Sequence, residues 1–183
     1  MCSATEGATL LSNTDLISLC EDRVVRIQAN KDAIFNADGN PQIIASNNVL
    51  GQTMPFSGDY GISKNPESFT SDNYRAYFTD KSRSAVLRLS KDGLTPISEY
   101  GMSDWFKDNL RNYPKLVGSF DNDKEDYNLT LREANITTGY TPTTLTYNEN
   151  VKGWTSFKSF IPEQALSMNN EYYSFKNGYI YKH

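Results

Sequence analysis

The chain has 183 residues, a formal charge of −4 and a sequence pI near 5.0. That balance argues against nucleic-acid binding through phosphate neutralisation, which needs a basic face. Mean hydropathy is −0.60 and the apolar runs are short, so no segment reads as a bilayer span and no membrane partner is expected.

Ser, Thr and Asn supply 18, 15 and 18 residues, and aromatics make up 13% of the chain. Long helices need runs of Ala, Leu, Glu and Lys that are scarce here. Aromatic and β-branched residues fit a pleated, half-buried surface, while Asn, Ser and Gly close turns. The composition predicts a mostly-β protein.

No basic and apolar leader is read at Met1-Cys2-Ser3-Ala4-Thr5-Glu6, and residues 1–14 are expected to fray. From residue 15 onward a single β domain is expected. The first hairpin pairs Leu16-Ile17-Ser18-Leu19-Cys20 with Arg23-Val24-Val25-Arg26-Ile27 across Glu21-Asp22. A strand follows at residues 42–46, and Asn65-Pro66-Glu67-Ser68-Phe69 suits a short helical turn with Pro in first position. The second hairpin joins Tyr74-Arg75-Ala76-Tyr77-Phe78-Thr79 to Ala85-Val86-Leu87-Arg88-Leu89-Ser90, and continues through Lys91-Asp92-Gly93 as a three-strand meander.

One helix is predicted over residues 103–112, where Met102, Trp105, Phe106 and Leu110 share a face and Ser103 suits the N-cap. The third hairpin pairs Leu116-Val117-Gly118-Ser119-Phe120 with Tyr127-Asn128-Leu129-Thr130-Leu131. Further strands are expected at residues 143–147 and 154–160. The fourth hairpin sets Tyr172-Tyr173-Ser174-Phe175 against Tyr179-Ile180-Tyr181 across Asn177-Gly178, a strong hairpin signal because both turn residues tolerate positive φ.

The hairpins recur at roughly 40–60 residues, close to the spacing of propeller blades. The fold expectation is a β-propeller-like or partial propeller of antiparallel hairpins with one short helix; a β-sandwich is the alternative.

Candidate chemistry is sparse. Two cysteines, Cys2 and Cys20, make no disulfide framework, and with the lone His183 they form a poor metal set. A Ser-His-Asp or Cys-His hydrolase is therefore not expected, and no pair of carboxylates stands out for glycosidase work. Asp121, Asp123, Glu125 and Asp126 bunch in one loop. Asp121, Asp123 and Glu125 are weak Ca²⁺ candidates, lacking the Gly and distal Glu of an EF-hand; a solvated hairpin tip is the favoured reading. Asp38-Gly39 and Asp92-Gly93 read as turns, and the scattered glycines cradle no phosphate. Asn128-Leu129-Thr130 and Asn135-Ile136-Thr137 match a glycosylation pattern that carries little weight without a secretory signal. No cofactor is expected.

The basic stretch Arg75, Lys81, Arg83, Arg88 and Lys91 reads first as a solvated sheet face, with Arg75 and Arg88 on one side. Trp154, Tyr172, Tyr173, Tyr179 and Tyr181 crowd the C-terminal third. They suit a β core, the centre of a protein interface, or a sugar-stacking platform.

Several strings together resemble β-rich virion structural proteins of tailed bacteriophages. They include Asn48-Val49-Leu50-Gly51, Tyr60-Gly61-Ile62-Ser63-Lys64-Asn65-Pro66-Glu67-Ser68-Phe69 and Ala76-Tyr77-Phe78-Thr79-Asp80-Lys81. They continue with Val86-Leu87-Arg88-Leu89-Ser90-Lys91-Asp92-Gly93-Leu94, Asp126-Tyr127-Asn128-Leu129-Thr130-Leu131, Gly153-Trp154-Thr155-Ser156-Phe157-Lys158-Ser159-Phe160 and Tyr173-Ser174-Phe175-Lys176-Asn177-Gly178. The resemblance covers most of residues 15–183. It implies blades of a propeller-like module in a tail, neck or baseplate component, with no catalytic residues. Members usually continue past the position of His183, so the resemblance also implies a fragment, or an edge completed by another chain.

The expected function is thus non-enzymatic: a virion structural part, located in the virion, that binds other virion proteins or itself. Trp154, Tyr172, Tyr173 and Tyr181 are the candidate contacts. The alternative is a carbohydrate- or receptor-binding β module of a phage fibre or surface protein, with a glycan or receptor as partner.

Overall fold

Short apolar runs separated by polar turns fold into consecutive antiparallel hairpins, and these assemble into four sheets. The computed structural model describes residues 16–35, 41–132 and 140–183. The end expected to fray, Cys2, Asp38-Gly39 and Asn135-Ile136-Thr137 lie outside the described residues.

The first sheet holds β1 (Leu16–Leu19), β2 (Val24–Phe35) and β3 (Pro41–Pro55) in that order. The second holds β4 (Thr70–Ser71), β5 (Ala76–Asp80), β6 (Ala85–Ser90) and β7 (Gly93–Pro96). The third holds β8 (Lys115–Asp121), β9 (Asp126–Arg132), β10 (Thr143–Asn148) and β11 (Gly153–Lys158). The fourth holds β12 (Gln164–Met168), β13 (Glu171–Lys176) and β14 (Tyr179–Lys182). Every sheet is a simple meander, with each strand beside its neighbour in sequence.

All four expected hairpins are present, at β1–β2, β5–β6, β8–β9 and β13–β14. Asn177 (φ 52°) and Gly178 (φ 78°) form the tight β13–β14 turn, where both positive values match the right-handed twist of the flanking strands. The strand expected at residues 42–46 is one part of the much longer β3, and β4 and β12 carry no strand signal in the sequence. β4 is a two-residue strand, too short to show alternation, and β12 mixes Gln164 and Ser167 into its apolar pattern.

The helix, α1 (Ser103–Asn109), is shorter than its pattern, because the last turn tightens into a 3₁₀ turn at Leu110–Asn112. The N-cap is Met102 rather than Ser103: the Met102 carbonyl already accepts the Phe106 N–H at 3.1 Å. Phe106 and Leu110 are fully buried, and Met102 and Trp105 pack beside them.

The second sheet is buried on both faces. Ala76, Phe78, Ala85, Leu87 and Leu89 meet Ile17, Leu19 and Val24 of the first sheet. Tyr77 and Val86 point the other way, into a cluster with Phe106, Leu116, Tyr127, Leu129, Leu145 and Tyr147. Apolar residues at both parities of β5 and β6 record that double burial. The third sheet turns Leu129, Leu145 and Tyr147 toward that aromatic core and a polar face toward the fourth.

Hydrogen bonds fill that polar face. Thr146 Oγ1 donates to Asn128 Oδ1 at 2.7 Å, Thr144 Oγ1 to the Phe160 carbonyl at 2.7 Å, and Ser119 Oγ lies 2.7 Å from the Tyr172 hydroxyl. Burial of polar groups is tolerated there because each has a partner. Asn128 and Thr130, both in a nominal glycosylation motif, lie inside this layer. The described sheets therefore stack face on face in chain order, with no closed barrel.

Candidate interaction surface

The four aromatic candidates divide by depth. The Trp154 indole, on β11, donates Nε1–H to the Ile97 carbonyl at 3.0 Å and packs against Phe106 with ring centroids 4.7 Å apart. Tyr172 is buried between the third and fourth sheets, its hydroxyl on Ser119 and its ring beside Phe160 and His183. Burial pushes the Tyr172 hydroxyl up to about 12, against a smaller opposing pull from the Ser119 hydrogen bond. These two rings serve internal packing.

Tyr173 and Tyr181 reach the surface, on opposite faces of the fourth sheet. Tyr173 is half-buried on the outer face and its hydroxyl donates to the Glu171 carboxylate. Tyr181 is 49% exposed and lines a cleft of about 150 Å³ with Phe160, Pro162, Lys176 and His183. His183 Nε2 sits 2.7 Å from Ser174 Oγ, and burial lowers the affinity of the imidazole for a proton.

The acidic loop works as a hairpin closure. Asp121 Oδ1 accepts the backbone N–H of Asp123 and of Lys124, and Asp126 accepts from Asn148 Nδ2 at 2.8 Å. Asp123 and Glu125 point to solvent, away from the buried Asp121 and Asp126. Among the described residues no group of three or more His, Cys, Asp and Glu converges in metal-binding fashion.

The basic stretch is corrected by the structure. Arg75 and Arg88 do share a face, but it is an inward one: both approach Glu149 Oε2, at 3.6 and 3.1 Å. Arg83 bonds Asp80 at 2.9 Å. The solvated-face reading therefore fails for Arg75 and Arg88, while Arg83 stays exposed as it reaches back to the buried Asp80.

Among the described residues, two further surface features bear on binding. One is the fourth sheet's outer face, where Leu166 (43%), Met168 (56%) and Ile180 (66%) are exposed beside Tyr173 and Phe175. The other is a polar cleft of about 210 Å³ where loops of three sheets meet, lined by Asp72, Asn73, Tyr74, Asn122, Glu125 and Asn170 among others. Among the described residues no helix is long and apolar enough to cross a membrane.

A model of the Crassvirus muzzle protein family matches residues 13–178. The chain belongs to that family. It is a phage protein of virion-associated type, and its β-rich fold agrees with that membership. No curated protein matches the chain.

In this muzzle-family chain the residues that sequence reasoning passed over are buried carboxylates. Glu149, only 6% exposed, gathers Tyr77, Arg75 and Arg88. Asp80, fully buried, accepts from the Gly61 and Arg83 backbone N–H groups, Ser63 Oγ and the Arg83 guanidinium, all within 3.0 Å. Asp80 closes β5 and Glu149 opens the turn after β10, positions that read as solvent-facing in any single sequence. The one local signal was the i,i+3 spacing of Asp80 and Arg83; for Glu149, far along the chain from Arg75 and Arg88, the sequence carries none.

Proposed function

We propose that the chain is a non-enzymatic structural part of a phage virion, in the tail, neck or baseplate region, working through protein interfaces. Family membership over residues 13–178 carries this reading. The geometry supports it: the buried carboxylates of Asp121, Asp126, Asp80 and Glu149 are engaged in internal bonds, while apolar surface stays exposed on the fourth sheet. The stacking of four successive meanders favours a partial propeller over a two-layer sandwich, which would pair its sheets rather than continue them. The partners are other virion proteins or further copies of the chain.

Quantitative mass spectrometry of purified particles tests the reading. A fixed copy number per virion, with the chain located in the tail region by imaging, is expected. Absence from purified particles overturns it.

A glycan-binding role is the second reading, and it rests on one place. Tyr74, 73% exposed, stands on the rim of the polar cleft beside Asn73, Asn122 and Asn170, an aromatic plate next to amides suited to sugar hydroxyls. A glycan-array signal lost in Tyr74→Ala supports it, and a blank array removes it.

A further inference from the structure

We infer that the polar cleft holds a glycan by an unacetylated amino sugar, whose ring stacks on Tyr74 and whose ammonium group is drawn to the Glu125 carboxylate. This deepens the glycan-binding reading, on which it rests, by naming the class of sugar.

The cleft measures about 210 Å³ where the loop after β4, the β8–β9 turn and the β12–β13 turn meet. Enclosed ligand pockets run to roughly 300–1,000 Å³, so this smaller one suits a single ring of a longer glycan. Its loops are tied down within the chain. Asp72 Oδ1 accepts the backbone N–H of Tyr74 and of Arg75, both at 2.6 Å. The Asn122 N–H donates to Ser167 Oγ at 3.1 Å, and the Ser167 hydroxyl donates to the Phe120 carbonyl at 2.9 Å. The Glu149 N–H reaches the Glu125 carbonyl at 3.3 Å. A site already in shape spares its ligand the cost of ordering the loops.

The backbone of these loops is engaged, whereas the side chains at the cleft are not. Among the described residues, the side chains of Asn73, Tyr74, Asn122, Glu125 and Asn170 make no hydrogen bond or ion pair within the chain. Three amides offer paired donors and acceptors, a match for the neighbouring hydroxyls of a sugar ring. The largely exposed Tyr74 supplies a flat amphipathic plate for the C–H face of that ring.

Charge selects an amine. Arg75 is the one cation among the lining residues, and it is held by Asp72 at 3.3 Å and by Glu149 at 3.6 Å. Asp72 is answered by the same arginine and by two backbone N–H groups. Glu125 has no counter-charge among the described residues, which leaves the cleft net negative. An ammonium group is attracted there by the carboxylate and by the face of the tyrosine ring. Acetylation of the amine removes the charge and that attraction with it. A lysine side chain from a protein would satisfy the carboxylate and the ring, but its alkyl stem leaves the three amides unused.

Isothermal titration calorimetry of the full chain at about pH 6, where a sugar amine carries its proton, tests the inference with glucosamine, glucose and N-acetylglucosamine. Glucosamine is expected to bind more tightly than either neutral sugar by about fivefold or more. Glu125→Gln keeps the size of the side chain and removes its charge, so glucosamine falls to the level of glucose. Tyr74→Ala weakens glucosamine by about fivefold or more. Both residues are exposed, and circular dichroism is expected to be unchanged in both variants.

The comparison of the three sugars decides without any variant: a neutral sugar bound as tightly as glucosamine overturns the inference and leaves the glycan reading standing. An advantage of glucosamine that survives Glu125→Gln overturns it in the same way. Nα-acetyl-lysine amide bound as tightly as glucosamine overturns it in favour of a protein side chain. Glucosamine binding untouched by Tyr74→Ala overturns both readings of the cleft. If none of the three sugars binds, the inference falls, and the glycan reading falls with it only when the glycan array is blank as well.

Discussion

The Tyr77 hydroxyl, on β5 of the second sheet, donates a 2.6 Å hydrogen bond to Glu149 Oε1, at the β10–β11 turn of the third. Arg88 Nη1 holds the other carboxylate oxygen at 3.1 Å, so a single carboxylate ties two sheets together. The Tyr77 ring stacks on Tyr127 with centroids 4.7 Å apart, placing this polar clamp at the margin of the aromatic core. Burial, reinforced by the hydrogen bond to Glu149, holds the Tyr77 hydroxyl far above the ordinary tyrosine range.

Removal of the clamp should cost more than removal of one bond. Glu149→Ala strands the Arg88 guanidinium, whose side chain is only 15% exposed and whose Nε already has no partner. The expected destabilisation is about 3–5 kcal/mol. Tyr77→Phe keeps the ring and both arginine contacts, and should cost about 1 kcal/mol. Urea denaturation midpoints check the ordering; equal effects would mean the arginines are held otherwise.

Asp80 should behave as a hub for the loop before the second sheet. Asp80→Ala orphans the donors of Gly61, Ser63 and Arg83 together and should destabilise by about 2–3 kcal/mol. Hydrogen exchange of the Gly61 amide is the local readout, and it should accelerate in the variant.

Gly118 lies where β8 crosses the carbonyl of Ser68. A Cβ there would stand 2.1 Å from that backbone oxygen, which cannot swing aside as a side chain does. Gly118→Ala is expected to cost about 1–3 kcal/mol or to displace the Pro66–Ser68 turn. Gly153→Ala, whose nearest neighbour is 3.9 Å away, should be close to neutral in the same melting experiment.

Alkaline pH should loosen the seam between the third and fourth sheets. Burial raises Tyr172 to about 12, above the ordinary tyrosine value of about 10. A raised folded value means the unfolded chain loses its proton first. The associated stability is present below pH 10 and is lost as pH climbs through about 12. The last part of the tyrosinate absorbance change and the loss of strand circular dichroism should coincide in that window. Tyr172→Phe should shift the step upward.

The local grammar of hairpins was readable because it depends on neighbours along the chain. Asn177-Gly178 declared its turn through backbone tolerance, and Ala85 to Ser90 declared a strand whose bounds match β6. The Met102, Trp105, Phe106 and Leu110 face found its helix even though the last turn tightened. Burial depth was not readable in this way. Trp154 and Tyr172 look like Tyr173 and Tyr181 in sequence, and only packing of one sheet on the next sends the first pair inward.

Composition, strand periodicity and turn chemistry by themselves determined a mostly-β chain of consecutive hairpins with one short helix, because each of those signals acts over a few residues. The tertiary structure alone decided which charges are buried: Glu149 meets Tyr77 across 72 positions and Arg88 across 61. It also decided which aromatic rings turn inward, Trp154 and Tyr172 rather than Tyr173 and Tyr181. Both depend on how separate sheets meet, and a contact between residues so far apart leaves no periodic trace in a single sequence.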